Sequence, residues 1–395
     1  MTEATLLTLQ TCANPGESAT RPLKVAFLTV MPSPYTQDLF HAMQSDGRIR
    51  PRVFYMEMTA PDTRWGKVPL PDYATVLSGF WVPFLGGRVH LNPRAVRAIA
   101  AERPDVVVVG GYMTLTTQMV MLWLRKKRLP WIFWGELPGM RHRRGLGAAL
   151  RWLAQRPAVQ SPDAIAAIGT RAVAAYGRMA REGCRIANIP YCCDVKPFLD
   201  ICRNEGILTN RTRFLFCGQL IHRKGVDLLV DEFCRAAREV VSIELTLIGD
   251  GPLRRELEQR IPDALRHCVH FAGFQPVAEL PRFFGNADVF ILPSRHDGWG
   301  VVVNQAIAAG LPVICSDSVG AADLVVENAN GHVIPTANSK ALYDAIVSFA
   351  KNPSLGRQFG ARSREYAREW TPEQAVDRWY RLCDEVLSAN TMRVR

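Results

Sequence analysis

Pro293 to Asp317 reads PSRHDGWGVVVNQAIAAGLPVICSD, a polar, glycine-spaced loop that runs into an apolar helix and then into an apolar strand. The preceding residues, Asp288 to Leu292 (DVFIL), form a short strand pattern that Pro293 ends. Gly298 and Gly300 let the backbone come close to a bound molecule. Val301 to Ala309 supplies the helix, and Gly310-Leu311-Pro312 stops it. Free N–H groups and the positive dipole end at the start of such a helix favour a phosphate or a sugar hydroxyl. The stretch therefore predicts a ligand loop between two strands of an α/β sheet, with an anion as the expected ligand.

Three stretches upstream have the same strand-then-glycine-turn character: FCGQLIHRKGVDL at Phe216 to Leu228, LIGDGPL at Leu247 to Leu253, and FAGFQP at Phe271 to Pro276. Together the four resemble, in order, the signature of the retaining glycosyltransferases of family 4. Those enzymes carry Glu-x7-Glu in a context such as EGFG…EAMACGLPVI, where this chain has Asp297 and Gln305. The N-terminal half resembles the family only through a first strand at Lys24 to Val30, a Pro-Ser-Pro-Tyr loop at 32 to 35 and a linker centred on Asp194. The resemblance implies an α/β chain with the GT-B fold, two Rossmann-like doubly wound domains facing across a cleft.

Length and composition agree with that reading. A chain of 395 residues, 48% of them hydrophobic, can bury two cores of ordinary size. First-domain strands are expected near Lys24 to Val30, Arg52 to Met56, Asp105 to Val109, Trp131 to Trp134, Ala164 to Ile168 and Ile186 to Ile189. Second-domain strands are expected near Arg213 to Cys217, Ile243 to Ile248, Val269 to Ala272, Asp288 to Leu292, Val313 to Ser316 and His332 to Ile334. A leader is expected over 1–20, which lacks the basic start and apolar core of a signal peptide, and the resemblance implies an acceptor-binding domain over 21–195 and a nucleotide-sugar-binding domain over 196–370. Residues 371–395 are a terminal segment whose helix, by the resemblance, crosses back to the first domain.

Charge divides the halves. Residues 1–200 hold 25 Lys and Arg against 14 Asp and Glu, and the remainder holds 23 of each. Arg125-Lys126-Lys127-Arg128 and Arg141-His142-Arg143-Arg144 carry much of the excess, either as solvated ends or as contacts to an anionic membrane surface. No nucleic-acid motif or aromatic platform accompanies them, so nucleic acid is not an expected partner. Val106 to Leu124 is uncharged, but Gly110-Gly111 and Thr114 to Gln118 break it into a strand, a turn and a helix. Ten scattered cysteines point to reduced thiols, and His267-x-x-His270 lacks further ligands, so no metal or cofactor is expected. The expected location is the cytoplasm, with peripheral attachment to the inner membrane face.

Candidate site residues follow from the resemblance. Breaking the bond between a sugar and a diphosphate builds negative charge on the leaving group, which fixed cations stabilise. Lys224 occupies the family's lysine position, and Arg223 stands in for the arginine that Gln219 replaces after Gly218. Asp297, with Gly298 and Gly300, would contact donor sugar hydroxyls, or else cap the following helix. Gln305 would face the ribose with one neutral acceptor in place of a carboxylate. Phe274, Gln275 and Trp299 are either nucleobase neighbours or packing. On the acceptor side stand Pro34 and Tyr35, and Glu136, which either orients an acceptor hydroxyl or serves as a cap or ion-pair partner.

The expected reaction moves a sugar from a nucleoside-diphosphate sugar to a glycan or lipid-linked acceptor with retention, in cell-surface polysaccharide or glycolipid assembly. A family-like protein that binds nucleotide or glycan without transferring sugar is the alternative, because Gln219 and Gln305 depart from the usual pattern. A nicotinamide oxidoreductase would need G-x-G-x-x-G after a first strand, and GDGP at 249–252 lacks the third glycine.

Overall fold

The computed structural model describes residues 21–59, 69–84, 87–138, 146–201 and 211–394 of the chain. Residues 1–20 and Arg141 to Arg144, to which the leader and the second basic run were assigned, lie outside the described residues.

The first domain is built on a seven-stranded parallel sheet: β1 (Leu23–Thr29), β2 (Ile49–Tyr55), β3 (Ala74–Val76), β6 (Val106–Gly110), β7 (Trp131–Gly135), β8 (Ala164–Ala167) and β9 (Arg185–Asn188), in the order β3-β2-β1-β6-β7-β8-β9. A hairpin of β4 (Phe80–Phe84) and β5 (Gly87–Leu91) stands apart from it. The central strands are apolar on both faces, as helices covering both sides require. Alternation sorts their side chains: Phe27, Val108 and Trp134 point to one core and Leu28, Val109 and Phe133 to the other.

The second domain has six parallel strands: β10 (Thr212–Cys217), β11 (Ile243–Ile248), β12 (Val269–Gly273), β13 (Val289–Leu292), β14 (Val313–Ser316) and β15 (Gly331–Ile334), in the order β12-β11-β10-β13-β14-β15. All twelve strands anticipated from sequence are present, with ends shifted by up to three residues. β3 and the hairpin were not anticipated. The apolar stretch after Val106 is strand, turn and helix, and no described helix is long and apolar enough to cross a membrane.

Strand order locates the site. In each sheet the direction of winding reverses once, between β1 and β6 in the first and between β10 and β13 in the second. At such a reversal the connections leave to opposite faces and open a crevice beyond the strands' C-terminal ends. Those ends carry Thr29 and Gly110 in one domain and Cys217 and Leu292 in the other.

The chain crosses between domains twice. It leaves the first domain through the segment around Asp194, whose N–H donates to Asp38 at 2.8 Å. It returns through the helix Pro372–Val394, where Trp379 meets Phe27 and Trp134 edge-on with ring centres 5.4 and 5.3 Å apart. Lys196 and Glu373 join the two crossings at 3.2 Å.

Candidate functional site

The second domain contributes three loops zipped together by backbone bonds. After β10, the N–H of Gly218 donates to Ile248 at 2.9 Å, and after β11 the N–H of Gly249 donates to Gly273 at 2.8 Å. Gly249 has φ of +126°, and a Cβ there would overlap the carbonyl oxygen of Gly218, so only glycine fits the approach. The chain then turns through His222–Lys224 to Gly225, whose φ is +69° and whose Cα faces the carbonyl of Pro293. That contact presses the lysine turn against the Pro293–Gly300 loop.

The two loops meet through their charged side chains. Lys224 Nζ donates to Asp297 Oδ2 at 2.5 Å, and both side chains are largely buried. Arg223 Nη1 stands 3.8 Å from Asp297 Oδ1 and donates to the carbonyl of His296 at 2.9 Å. Arg295 turns away and binds Asp227 at 2.6 and 2.9 Å, which anchors the loop to the following helix. Burial, and next the Arg223 charge, lower the His296 pKa. Asp297 is no helix cap: the helix Val302–Ala308 has Val301 at its N-cap and no side-chain cap bond.

Gln305 lies on that helix, 8% exposed, and its Oε1 is buried without a hydrogen-bond partner. Trp299 is 2% exposed and donates through Nε1 to Asn304 at 2.9 Å, so its ring belongs to the core and is out of a nucleobase's reach. Phe274 is exposed just after β12. Gln275 donates to the carbonyl of Ala272 at 2.7 Å, closing the same turn.

The first domain answers with Glu136, immediately after β7. Its carboxylate meets the second domain at Gly298, where an added Cβ would lie 1.9 Å from Oε2. Glu136 is exposed to the cleft, with groups of both domains close around it. Burial raises its pKa first and the Asp297 charge raises it further, while a hydrogen bond from Tyr191 and the charges of Arg223 and Lys224 pull it down. Among the described residues, Glu136 caps no helix and has no cation within ion-pair distance. Its backbone carbonyl accepts from Tyr176 at 2.7 Å.

A cavity of about 340 Å³ opens beside this carboxylate, lined among others by Thr29, Ser33, Tyr35, Gly110, Tyr176 and Tyr191. Pro34 is the first residue of the helix Pro34–Asp46, which Ser33 caps by exchanging bonds with Thr36. Tyr35 follows in its first turn, with its ring 4.9 Å from that of Tyr191 and its hydroxyl pKa pushed up to about 12, mainly by burial. The structure thus gathers Arg223, Lys224, Asp297, Gly298, Glu136 and Tyr35 in one cleft. Tyr191 and Tyr176, absent from the sequence-based candidates, come with them. Among the described residues no group of three or more His, Cys, Asp or Glu side chains stands close enough to hold a metal ion.

Comparison with known proteins bears directly on the second domain, where a family described as glycosyl transferases group 1 matches over residues 211–352. The match spans most of the second domain and less than half of the chain.

Similar sequences cover part of the chain. The amylovoran biosynthesis glycosyltransferase AmsK of Erwinia amylovora is 34% identical over 138 residues, 33% of this chain and 34% of that protein. A GDP-mannose-dependent alpha-(1-6)-phosphatidylinositol monomannoside mannosyltransferase of Mycolicibacterium smegmatis is 29% identical over 169 residues, 40% of this chain and 44% of that one. The chain spans half or less of the length of these curated relatives, with 49% reached for an uncharacterized glycosyltransferase of Methanocaldococcus jannaschii.

Solved structures extend the likeness to both domains. A sucrose-phosphate synthase of Thermosynechococcus elongatus superposes with a TM-score of 0.71 at 18% identity, covering 93% of this chain and all of that one. The Anabaena HepE protein in complex with UDP does so with 0.70 at 17%, covering 92% of this chain and all of that one. At such identities the likeness fixes the fold, which is GT-B.

Proposed function

We propose that the protein is a glycosyltransferase that takes a sugar from a nucleoside diphosphate and passes it, with retention, to a hydroxyl held beside Glu136. The observation that carries this reading is the Lys224–Asp297 pair of the second domain set against Glu136 of the first across the cleft. In the reaction, the bond from the anomeric carbon to the diphosphate oxygen breaks and a bond to the acceptor oxygen forms on the same face. The acceptor's proton passes to the departing phosphate. Lys224 commits one of its three donors to Asp297, and two remain for phosphate oxygens. With Arg223 beside it, this puts positive charge where the leaving group becomes negative. Gln305 Oε1, buried and unpartnered, is suited to accept a ribose hydroxyl, and Phe274 to lie along the base. Glu136 and Tyr35 hold the acceptor. Among the similar structures, Anabaena HepE and a pneumococcal O-GlcNAc transferase are complexes with UDP, which supports a nucleotide-sugar donor.

Calorimetric titration with UDP, GDP, ADP and their common sugar conjugates tests this reading on the full chain and on Lys224→Ala. One preferred nucleotide, lost in the variant, supports it; no binding of any of them overturns it. Binding without turnover of any conjugate in the presence of glycan or lipid-linked acceptors supports instead a protein that binds nucleotide but transfers no sugar.

The acceptor reading includes a membrane face. Leu115 and Leu122 are exposed on one side of the helix Leu115–Lys127, and Gln118 between them donates to Ala154 at 2.7 Å. That bond brings exposed Trp152 and Leu153 alongside, and Arg125 to Arg128 follow at the helix end. Apolar side chains beside clustered cations suit an anionic lipid surface. Co-sedimentation with anionic but not neutral vesicles at low salt is the expected result, and equally empty pellets would remove this face from the proposal.

A further inference from the structure

A second cavity, of about 430 Å³, lies in the first domain beyond the ends of β2 and β3 and under the hairpin. Its volume is within the range of small-molecule sites, roughly 300–1,000 Å³. It is separated from the Glu136 cavity by one strand connection. The N–H groups of Met56 and Glu57, which line the second cavity, donate to Thr29 and Val30, which line the first, at 2.9–3.1 Å.

The lining is polar within and aromatic at the rim. Glu57 has a side chain only 10% exposed, and Arg88 Nη1 stands 3.0 Å from each of its oxygens, donating to Oε2. His90, 3% exposed, brings Nε2 to 3.2 Å from Glu57 Oε2 without a bonding angle, and neither of its ring nitrogens is hydrogen-bonded. Buried polar atoms left in this condition cost free energy unless something pairs with them. At the rim stand Phe80 and Trp81, both exposed, with the Arg88 guanidinium 5.5 Å from the Trp81 ring centre.

The floor is rigid. Asn92, fully buried, donates to the carbonyls of Met56 and Leu77 at 3.0 and 3.1 Å and accepts from Thr116 at 2.9 Å. A side chain at Gly79 would strike Asn92, so the turn into the hairpin is fixed as well.

Resting on the transferase reading above, we propose that this cavity binds a second sugar unit of the acceptor, so that the acceptor is a glycan of at least two residues. The unpartnered ring nitrogens of His90 exchange hydrogen bonds with sugar hydroxyls, the Glu57 carboxylate has lone pairs beyond those its arginine takes, and an indole covers the apolar face of a pyranose. The shared wall at Val30 and Glu57 sets this unit beside the one that receives the new bond.

The test is saturation-transfer NMR on the full chain with methyl glycosides of glucose, mannose and N-acetylglucosamine and with their di- and trisaccharides. It is repeated on Glu57→Gln and Trp81→Ala, with nucleoside-diphosphate binding followed in parallel by calorimetry. The expected result is that at least one di- or trisaccharide binds at least tenfold more tightly than its methyl glycoside, that both variants abolish this gain, and that nucleotide affinity is unchanged. Equal affinity for short and long sugars, no sugar binding at all, or a gain that survives both variants overturns the second-unit site whether or not nucleotide binds. Loss of nucleotide binding in the parent chain with the sugar result intact overturns the transferase reading and leaves the glycan site standing. Trp81 is a rim residue whose removal does not threaten folding, so the test remains decisive should Glu57→Gln misfold.

Discussion

Glu136 of the first domain rests its carboxylate against the bare Cα of Gly298 in the second, with no room for a Cβ between them. The obstructing atoms are the tip of a flexible side chain, so Gly298→Ala should cost about 1 kcal/mol of stability or less. Turnover should fall at least tenfold, because Glu136 must leave its place. A cycle of Gly298→Ala and Glu136→Ala should show coupling of about 1–3 kcal/mol in kcat/KM; strictly additive effects would mean that the contact is incidental.

Lys224→Ala removes the cation closest to Asp297. A hydrogen bond to a charged group contributes about 1.5–3 kcal/mol, so nucleoside-diphosphate affinity should drop roughly 10- to 150-fold. Lys224→Arg should recover only part of it, since the donor must reach Asp297 within a tightly packed turn. Calorimetry reads both.

Gln305→Glu places a carboxylate where a neutral acceptor is now buried. If a ribose hydroxyl bonds there, nucleotide affinity should rise by about 1–2 kcal/mol. The protein without nucleotide should melt at a lower temperature near neutral pH, because the buried carboxylate has no cation, and the loss should shrink as the pH is lowered. Thermal melts with and without nucleotide separate the two effects.

Burial and Asp297 hold the Glu136 pKa above its ordinary value of 4.5 in the folded protein. A group whose pKa rises on folding contributes stability that is fully present below its unfolded pKa and disappears as the pH rises through its folded pKa. Replacement by glutamine removes this titration. The melting temperature of Glu136→Gln minus that of the parent should therefore increase as the pH rises from below 4.5 toward neutrality. A difference that stays flat with pH would show that the carboxylate does not titrate as described.

Two glycines of similar backbone conformation should respond differently to alanine. Gly47, φ +81°, has nothing within 4 Å of its Cβ position, so only left-handed strain of about 1–2 kcal/mol applies. Gly225, φ +69°, would drive its Cβ into the Pro293 carbonyl, so the cost should reach about 2–4 kcal/mol. Denaturant midpoints measure both.

Which of these features were legible beforehand follows from their range along the chain. Parallel strands such as Val106–Gly110 are continuous apolar runs, and the loops after them carry their glycines locally, so both can be read one segment at a time. The hairpin was hidden because Pro83 sits inside β4, and proline ordinarily argues against a strand. Trp299 stayed ambiguous because an aromatic in a glycine loop can stack on a ligand or pack inward. Its burial is decided by Asn304 and by Gly169 of the other domain. The approach of Tyr191 to Glu136 brings together residues fifty-five positions apart through the register of β7, β8 and β9, and no local pattern records it.

The two crossings joined by Lys196 and Glu373 have a mechanical consequence. A body attached to another at one point can swivel in any direction, whereas attachment along a line permits one rotation, like a book on its spine. Two tethers leave the domains fewer ways to turn against each other than one would, which favours the pairing of Glu136 with Gly298.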